Sequence, residues 1–182
     1  MKRVTTSAGA MLAFVASACT MADQAPPTAV QGGASAGATA ELIDASGRKV
    51  GTATASQAGS GIRIRLETMG LPGGAHGAHV HMTGACTPPG FESAGGHWNP
   101  TTRQHGKDNP AGLHKGDLPN VVVGADGRGT AEYAIADASV TGGSAALLDE
   151  DGAAIVVHAQ ADDYRTDPSG NSGGRIACGV FR

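Results

Sequence analysis

Aromatic residues are scarce in this chain, and neither sign of charge dominates. Only 3% of the 182 residues are Phe, Trp or Tyr, and the formal net charge is −3. The balance becomes more negative if Lys2 and Arg3 are lost with an N-terminal segment. A general basic surface for nucleic acid is therefore excluded, and an anionic substrate has to be attracted locally. With so few aromatics, the core has to be built from Val, Ile, Leu and Ala.

Long apolar segments are missing as well. The apolar stretch at residues 8–18 is much too short to cross a bilayer. It follows a basic start at residues 1–3, which is the pattern of a secretion signal, so we expect residues 1–18 to be a signal peptide. Residues 19–38 are rich in Ala, Gly, Pro and Gln, and we expect a flexible tether there.

Cys19 stands at the end of the apolar stretch and is preceded by small residues. This arrangement resembles a bacterial lipoprotein cleavage site, which makes Cys19 a lipidation candidate and a candidate membrane anchor. Ordinary cleavage at Ala18 or near Ala22 is the alternative. In either case the protein leaves the cytoplasm, and we expect it in the periplasm, where disulfides persist.

Glycine is abundant, with 29 residues, and short apolar runs lie between the glycines. Ile62, Ile64 and Leu66 alternate with charged residues, which is the period of a half-buried strand. About eight short strands and no convincing helix predict an all-β fold, an antiparallel Greek-key sandwich or barrel. Besides a strand at residues 74–82, the expected strands cover residues 40–45, 49–55, 62–67, 121–124, 130–135, 145–148, 153–159 and 176–181.

Residues 74–82 read GAHGAHVHM and carry the first histidines. His79 and His81 are two positions apart, so in an extended chain both side chains project from one face. Two imidazoles in this arrangement are natural ligands for copper or zinc. For this motif alone, two histidines on a polar strand face remain an alternative. His76 faces the other side, and we expect it to donate to the backbone in a structural role.

The other four histidines lie in short motifs: GGHWNP (His97), RQHGKDNP (His105), AGLHKGDLPN (His114) and IVVHAQADD (His158). Together with GAHGAHVH, the loop at Cys86 and the closing GGRIACGVF, they occur in the order typical of one family. The sequence from about residue 38 onward resembles a copper/zinc superoxide dismutase of the bacterial secreted type. The resemblance implies an eight-stranded Greek-key domain at residues 39–182, with long metal-binding and electrostatic loops.

The resemblance also implies one copper and one zinc ion per subunit. The copper ligands would be His79, His81, His97 and His158. The zinc ligands would be His97, His105, His114 and Asp117. Three imidazoles with one carboxylate suit a redox-silent zinc, and four nitrogens suit a copper that changes oxidation state. His97 would bridge as an imidazolate, because both of its nitrogens face cations.

Further roles follow from the same resemblance. Asp162 matches an aspartate that orients one copper and one zinc histidine, although the sequence alone leaves its neighbour Asp163 open. Arg175 matches the arginine at the mouth of the copper channel. Cys86 and Cys178 match the family's disulfide, worth on the order of 4 kcal/mol in the chain-entropy model, and this leaves Cys19 unpaired. The disulfide and the metals would order the long loop at residues 83–120.

The implied activity is the disproportionation of superoxide to dioxygen and hydrogen peroxide, which protects the cell envelope. In this reaction His97 would release copper and take up a proton, and Arg175 would pair with the incoming anion. A periplasmic copper/zinc binding or buffering protein on the same scaffold is the alternative, and it would need neither Arg175 nor a reaction channel.

Two segments depart from the family's cytosolic eukaryotic members. The segment between Cys86 and His97 is longer, and the one between His158 and Arg175 is shorter and lacks their usual arrangement of guiding charges. Lys107, Lys115 and Arg165 are therefore only candidates for steering superoxide. The oligomeric state stays open, a homodimer included.

Overall fold

A computed structural model describes Met1 and residues 37–182. The predicted signal peptide at residues 1–18, Cys19 and nearly all of the predicted tether at residues 19–38 lie outside the described residues. The first strand begins at Gly37, so the last two residues of the predicted tether belong to that strand. Among the described residues, no helix is long and apolar enough to span a membrane.

Ten strands, numbered in chain order, make up most of the regular structure. They are β1 (Gly37–Asp44), β2 (Lys49–Ala58), β3 (Gly61–Thr68), β4 (Gly74–His81), β5 (Asp117–Val123), β6 (Gly129–Ile135), β7 (Ser139–Thr141), β8 (Ala146–Leu148), β9 (Ala154–His158) and β10 (Arg175–Val180). A single 3₁₀ turn at Glu92–Ala94 is the only helical element in the described part of the chain.

Eight of these strands form one sheet in the order β5-β4-β9-β10-β1-β2-β3-β6, and each neighbouring pair is antiparallel. The two end strands, β5 and β6, also lie against each other, so the sheet curls into a nearly closed barrel. β4 pairs with β9 instead of its predecessor β3, as in a Greek key. The predicted all-β, antiparallel Greek-key fold with eight strands is confirmed.

Alternating side chains fill the barrel interior. On β3, Ile62, Ile64 and Leu66 are buried, and the arginines between them face solvent. Valine, isoleucine, leucine and alanine make up most of the core, as the shortage of aromatics predicts. A smaller apolar cluster lies apart from this core, where Phe91 packs with Val156 of β9.

Some strands differ from their predicted form. β5 begins at Asp117, four residues earlier than expected, because its first residues pair with β4. The short strand β7 was not predicted, and it pairs in parallel with β8. β9 pairs with β4 and β10, and not with its predecessor β8. All five residues of β9 are buried, so it carries no alternation that reveals its position.

The predicted disulfide between Cys86 and Cys178 is present, with Cα atoms 5.7 Å apart and a sequence separation of 92 residues. It fastens the connection between β4 and β5 to β10. Cys178 is fully buried. The bond therefore fixes the segment around Phe91 against the strand that begins at Arg175.

Candidate metal centre

The barrel brings four imidazoles together at the ends of its strands. His79 and His81 lie on β4 and His158 lies on β9, the strand paired with β4. His97 reaches them from the connection between β4 and β5, through an isolated bridge with His81. One ring nitrogen from each residue lies within 4.8 Å of the others. We call this set, His79, His81, His97 and His158, the first group.

Each member of the first group has one nitrogen that is hydrogen-bonded and one that is not. His81 Nδ1 donates to Gly95 O at 2.9 Å, and His158 Nδ1 donates to Gly173 O at 3.0 Å. His79 Nε2 donates to Asp162 at 2.7 Å. Within the described part of the chain, the buried side-chain nitrogens without a hydrogen-bond partner are His79 Nδ1, His81 Nε2, His97 Nε2 and His158 Nε2. Orphaned buried nitrogens in one cluster are the pattern that a bound metal ion explains.

Burial keeps these imidazoles neutral. It lowers the pKa of His79 to about 3, of His81 to about 2 and of His158 to about 4. It also lowers the pKa of His97, against the opposing effect of Asp117. At neutral pH the unpartnered nitrogens therefore present lone pairs, which is the form that coordinates copper.

A second group, His97, His105, His114 and Asp117, shares His97 with the first. Asp117 Oδ1 lies 2.8 Å from His97 Nδ1 and 3.0 Å from Nδ1 of both His105 and His114. The two Nδ1 atoms of His97 and His114 are 3.3 Å apart. Ligands of a tetrahedral zinc with bonds of about 2.0–2.1 Å are separated by roughly 3.3 Å, so these atoms already have the spacing of a zinc site.

In the second group, hydrogen bonds oppose the effect of burial on the pKa values of Asp117 and His105. Burial would raise the pKa of Asp117, but bonds from its three histidines and from the Gly106 N–H hold it well below its usual range. Burial would lower the pKa of His105, but bonds to Asp117 and Asp162 raise it to about 9. Zinc binding at this group therefore has to displace the proton from His105 Nδ1.

Asp162 connects the two groups by accepting a hydrogen bond from one histidine of each. Its carboxylate accepts a hydrogen bond from His79 Nε2 at 2.7 Å and from His105 Nε2 at 3.0 Å. These bonds keep Nε2 of both rings as the donor, so Nδ1 is the nitrogen for a metal: it is unpartnered in His79, and in His105 it is available once its proton is displaced. Asp163 is exposed, and its carboxylate instead accepts bonds from Thr166, Arg165 and Asn171 within its own loop.

Arg175 lies at a cleft of about 420 Å³ that opens onto the first group. Its Nη1 donates to Phe91 O at 2.6 Å, and its Nη2 donates to Gly95 O at 2.7 Å. It is the only cation among the described residues that line the cleft: His81, Gly96, His97, His114, His158, Pro168, Ser169, Gly173 and Arg175. An anion entering this cleft meets one fixed positive charge beside the orphaned nitrogens.

The three candidate steering residues do not line this cleft. Lys107 pairs with Asp108 and lies over the Tyr164 ring, and Lys115 donates to Ala136 O. His76 has the predicted structural role, because its ring nitrogens contact the carbonyl oxygens of Pro72 and His158 at 2.9 and 2.8 Å.

Several functional groups escaped prediction from the sequence. The carbonyl oxygens of Gly95 and Gly173 hold His81 and His158, and backbone acceptors leave no mark in a sequence. Asn120 and Tyr164 hold Asp162. Asn120 is the last residue of the HKGDLPN motif and Tyr164 directly follows HAQADD, and only these positions connect them with the site.

A barrel that presents a four-nitrogen group and a three-nitrogen, one-carboxylate group sharing one histidine defines a protein with two adjoining metal centres. Comparison with known proteins then identifies the family. The model of the family described as "Copper/zinc superoxide dismutase (SODC)" matches residues 49–181, and the chain belongs to this family.

Some similar proteins are named superoxide dismutases, and another is named a superoxide dismutase-like protein. The chain is 44% identical over 147 residues to "Superoxide dismutase [Cu-Zn] 2" of Aquifex aeolicus, covering 79% of this chain and 85% of that one. It is 45% identical over 144 residues to "Superoxide dismutase-like protein YojM" of Bacillus subtilis, covering 78% and 74%. The crystal structure of a SOD-like protein from Bacillus subtilis matches with a TM-score of 0.74 and 44% identity, covering 78% of this chain and 96% of that one.

Proposed function

We propose that the protein disproportionates superoxide: two superoxide anions and two protons become dioxygen and hydrogen peroxide. The observation that carries the proposal is the set of four orphaned imidazole nitrogens at the base of a cleft that Arg175 lines. Family membership and the relatives named Cu-Zn superoxide dismutase support the same activity.

In this proposal the first group would hold copper through its orphaned nitrogens, and the second group would hold zinc through three Nδ1 atoms and Asp117. When bound, copper would supply the one-electron chemistry that oxidises one superoxide and reduces the next. His97 belongs to both groups, with Nδ1 facing Asp117 and Nε2 facing the first group. The lone pair of Nε2 can hold either copper or a proton, so this atom would carry one of the two protons that the reduced anion needs, and solvent would supply the other.

Arg175 orients the substrate. Its guanidinium is held by two carbonyl oxygens, so its position is fixed before the anion arrives. Burial lowers its pKa, but a guanidinium remains charged at neutral pH. We assign to Arg175 the capture of superoxide beside the first group.

The test is superoxide decay by pulse radiolysis on protein loaded with copper and zinc. We expect fast catalytic decay that falls at least tenfold in Arg175→Ala, since one charge-assisted contact is worth about 1.5–3 kcal/mol. The matched control is Arg63→Ala, because Arg63 is an exposed arginine on β3 and does not line the cleft. Slow decay in all three proteins, with both metals bound, would instead identify a copper/zinc buffering protein.

We further infer that the protein is secreted to the periplasm, with residues 1–18 as a signal peptide and Cys19 as a lipid anchor at the end of the tether. The N-terminal pattern and a disulfide that needs an oxidising compartment support this. Mass spectrometry of the purified N-terminus tests it. A diacylglyceryl mass on Cys19 that is absent from Cys19→Ser is expected, and a free N-terminus near Ala22 would contradict the lipid anchor.

Whether the protein forms a homodimer is tested by light scattering on the same samples.

A further inference from the structure

Tyr164 connects the two long segments that surround the metal centre. We call residues 82–116, between β4 and β5, the first loop, and residues 159–174, between β9 and β10, the second loop. Tyr164 lies in the second loop with a φ of 64°, in the left-handed region that residues other than glycine rarely adopt. Such a conformation persists only where surrounding contacts compensate for its cost.

The contacts of Tyr164 extend to the first loop and to β5. Its hydroxyl accepts a hydrogen bond from the N–H of Asn120 at 2.9 Å. Asn120 lies between Leu118 and Val121, where the pairing of β5 with β4 shifts register, so it has no partner residue on β4. The Tyr164 carbonyl accepts from the Asp108 N–H at 3.0 Å, and Lys107 Nζ lies 4.2 Å from the centre of the ring. A single residue therefore joins the second loop to both neighbours.

Asp162 is held by the same residues. The Tyr164 N–H donates to Asp162 Oδ1 at 2.6 Å. The side chain of Asn120 donates to Asp162 O at 3.0 Å and accepts from the Asp162 N–H at 2.8 Å. Asn120 lies three residues after Asp117 on β5. Its two hydrogen bonds therefore fix the position of Asp162 relative to the strand that carries Asp117.

We propose that Tyr164 is a positioning residue that couples the two metal groups. By bonding β5 and Asp162 at once, it holds the Asp162 carboxylate where His79 of the first group and His105 of the second group both donate to it. None of its hydrogen bonds described above reaches a member of either group, so it acts through Asp162. The inference rests on the metal assignment of the proposed function and adds a coupling between the two centres.

The variant Tyr164→Phe removes the hydroxyl acceptor and keeps the ring beside Lys107. The chain offers a matched control in Tyr133→Phe, because Tyr133 is its other tyrosine and its buried hydroxyl has no hydrogen-bond partner among the described residues. On full-length protein loaded with copper and zinc, the measurements are zinc affinity by chelator competition and the Cu(II) EPR spectrum. We expect about three- to tenfold weaker zinc binding in Tyr164→Phe, the effect of one hydrogen bond. We also expect altered copper hyperfine splitting in this variant, whereas Tyr133→Phe leaves both readouts unchanged.

Asp162→Asn separates positioning from a general loss of stability. If Tyr164 acts through Asp162, adding Tyr164→Phe to Asp162→Asn weakens zinc binding little further, whereas an independent effect adds in full. Full additivity, or zinc affinity and EPR of Tyr164→Phe equal to those of the wild type, would overturn the inference. A wild-type protein that binds neither metal would refute the proposed function itself, and the coupling with it.

Discussion

At the scale of single residues, the two nitrogens of each first-group imidazole have different environments. In His79, His81 and His158 one nitrogen donates to a protein oxygen, and the other is buried without a partner. The donated bond selects the tautomer, and the tautomer leaves the lone pair on the inward nitrogen. Without a metal, each unpartnered buried nitrogen costs roughly 1–3 kcal/mol. The metal-free protein therefore has lower stability than its core alone would provide.

This arrangement predicts an acid-sensitive metal-free protein. The pKa values of His79, His81 and His158 are about 3, 2 and 4 in the folded state, below the ordinary value of 6.5. Below pH 6.5 the unfolded chain takes up protons that the folded chain refuses, so stability is lost as the pH falls. Each such group contributes a slope of about 1.4 kcal/mol per pH unit between pH 6.5 and its folded pKa.

Urea unfolding of the metal-free protein between pH 4.5 and 7 measures this slope. The variant His158→Gln should lower it by the equivalent of one proton, because glutamine does not titrate. Asp117 and Asp162 contribute little above pH 4.5, since their unfolded carboxyls titrate near pH 3.8. His105, whose folded pKa is about 9, opposes the slope near pH 6.5 and above, so the slope is read between pH 4.5 and 6. An unfolding free energy that stays constant down to pH 4.5 would contradict the assigned tautomers and burial.

At the scale of elements, the first loop holds the cleft together through backbone carbonyls. Phe91 O and Gly95 O accept both guanidinium bonds of Arg175, and Gly95 O also accepts the bond from His81. The disulfide between Cys86 and Cys178 fastens this part of the loop to the strand that carries Arg175.

We therefore predict two effects of the double variant Cys86→Ala/Cys178→Ala. The free energy of unfolding should fall by about 2–4 kcal/mol, because the unfolded chain loses its cross-link. Superoxide decay should also slow under conditions in which the variant is fully folded, because Arg175 loses its fixed acceptors. Urea unfolding and pulse radiolysis measure the two effects. The control is Cys19→Ala, which removes the cysteine outside the disulfide; full activity in the folded double variant would show that other contacts fix Arg175.

Some of the strands and site residues were predictable from the sequence, and others were not. The alternation at residues 62–67 predicts β3 correctly, because one face of that strand is buried and the other is solvated. The pairing of β7 with β8 was not predictable, because strands of three residues carry no period and their partners are set by the surrounding fold. The histidine motifs predicted which residues come together, whereas the acceptors Gly95 and Gly173 and the hydrogen bonds of Tyr164 depend on loop conformation.

At the scale of the whole molecule, overall charge and local charge act on superoxide in opposite directions. The net charge of −3 repels an anion, and Arg175 attracts it at the cleft. Salt distinguishes the two, because screening weakens whichever interaction governs the encounter. The Debye length falls from about 30 Å at 0.01 M ionic strength to about 8 Å at 0.15 M.

We predict that the second-order rate constant for superoxide decay falls as ionic strength rises from 0.01 to 0.15 M. Close to the cleft, the attraction by Arg175 exceeds the repulsion by the negative charge that is spread over the protein, and salt screens this net attraction. In Arg175→Ala only the net repulsion remains, so the dependence should vanish or reverse. Arg63→Ala makes the net charge more negative by the same amount and leaves the cleft intact, so it should keep the falling dependence. A rate constant of the unmodified protein that rises with salt would mean that overall repulsion governs the encounter, and Arg175 would then lose its role in capture.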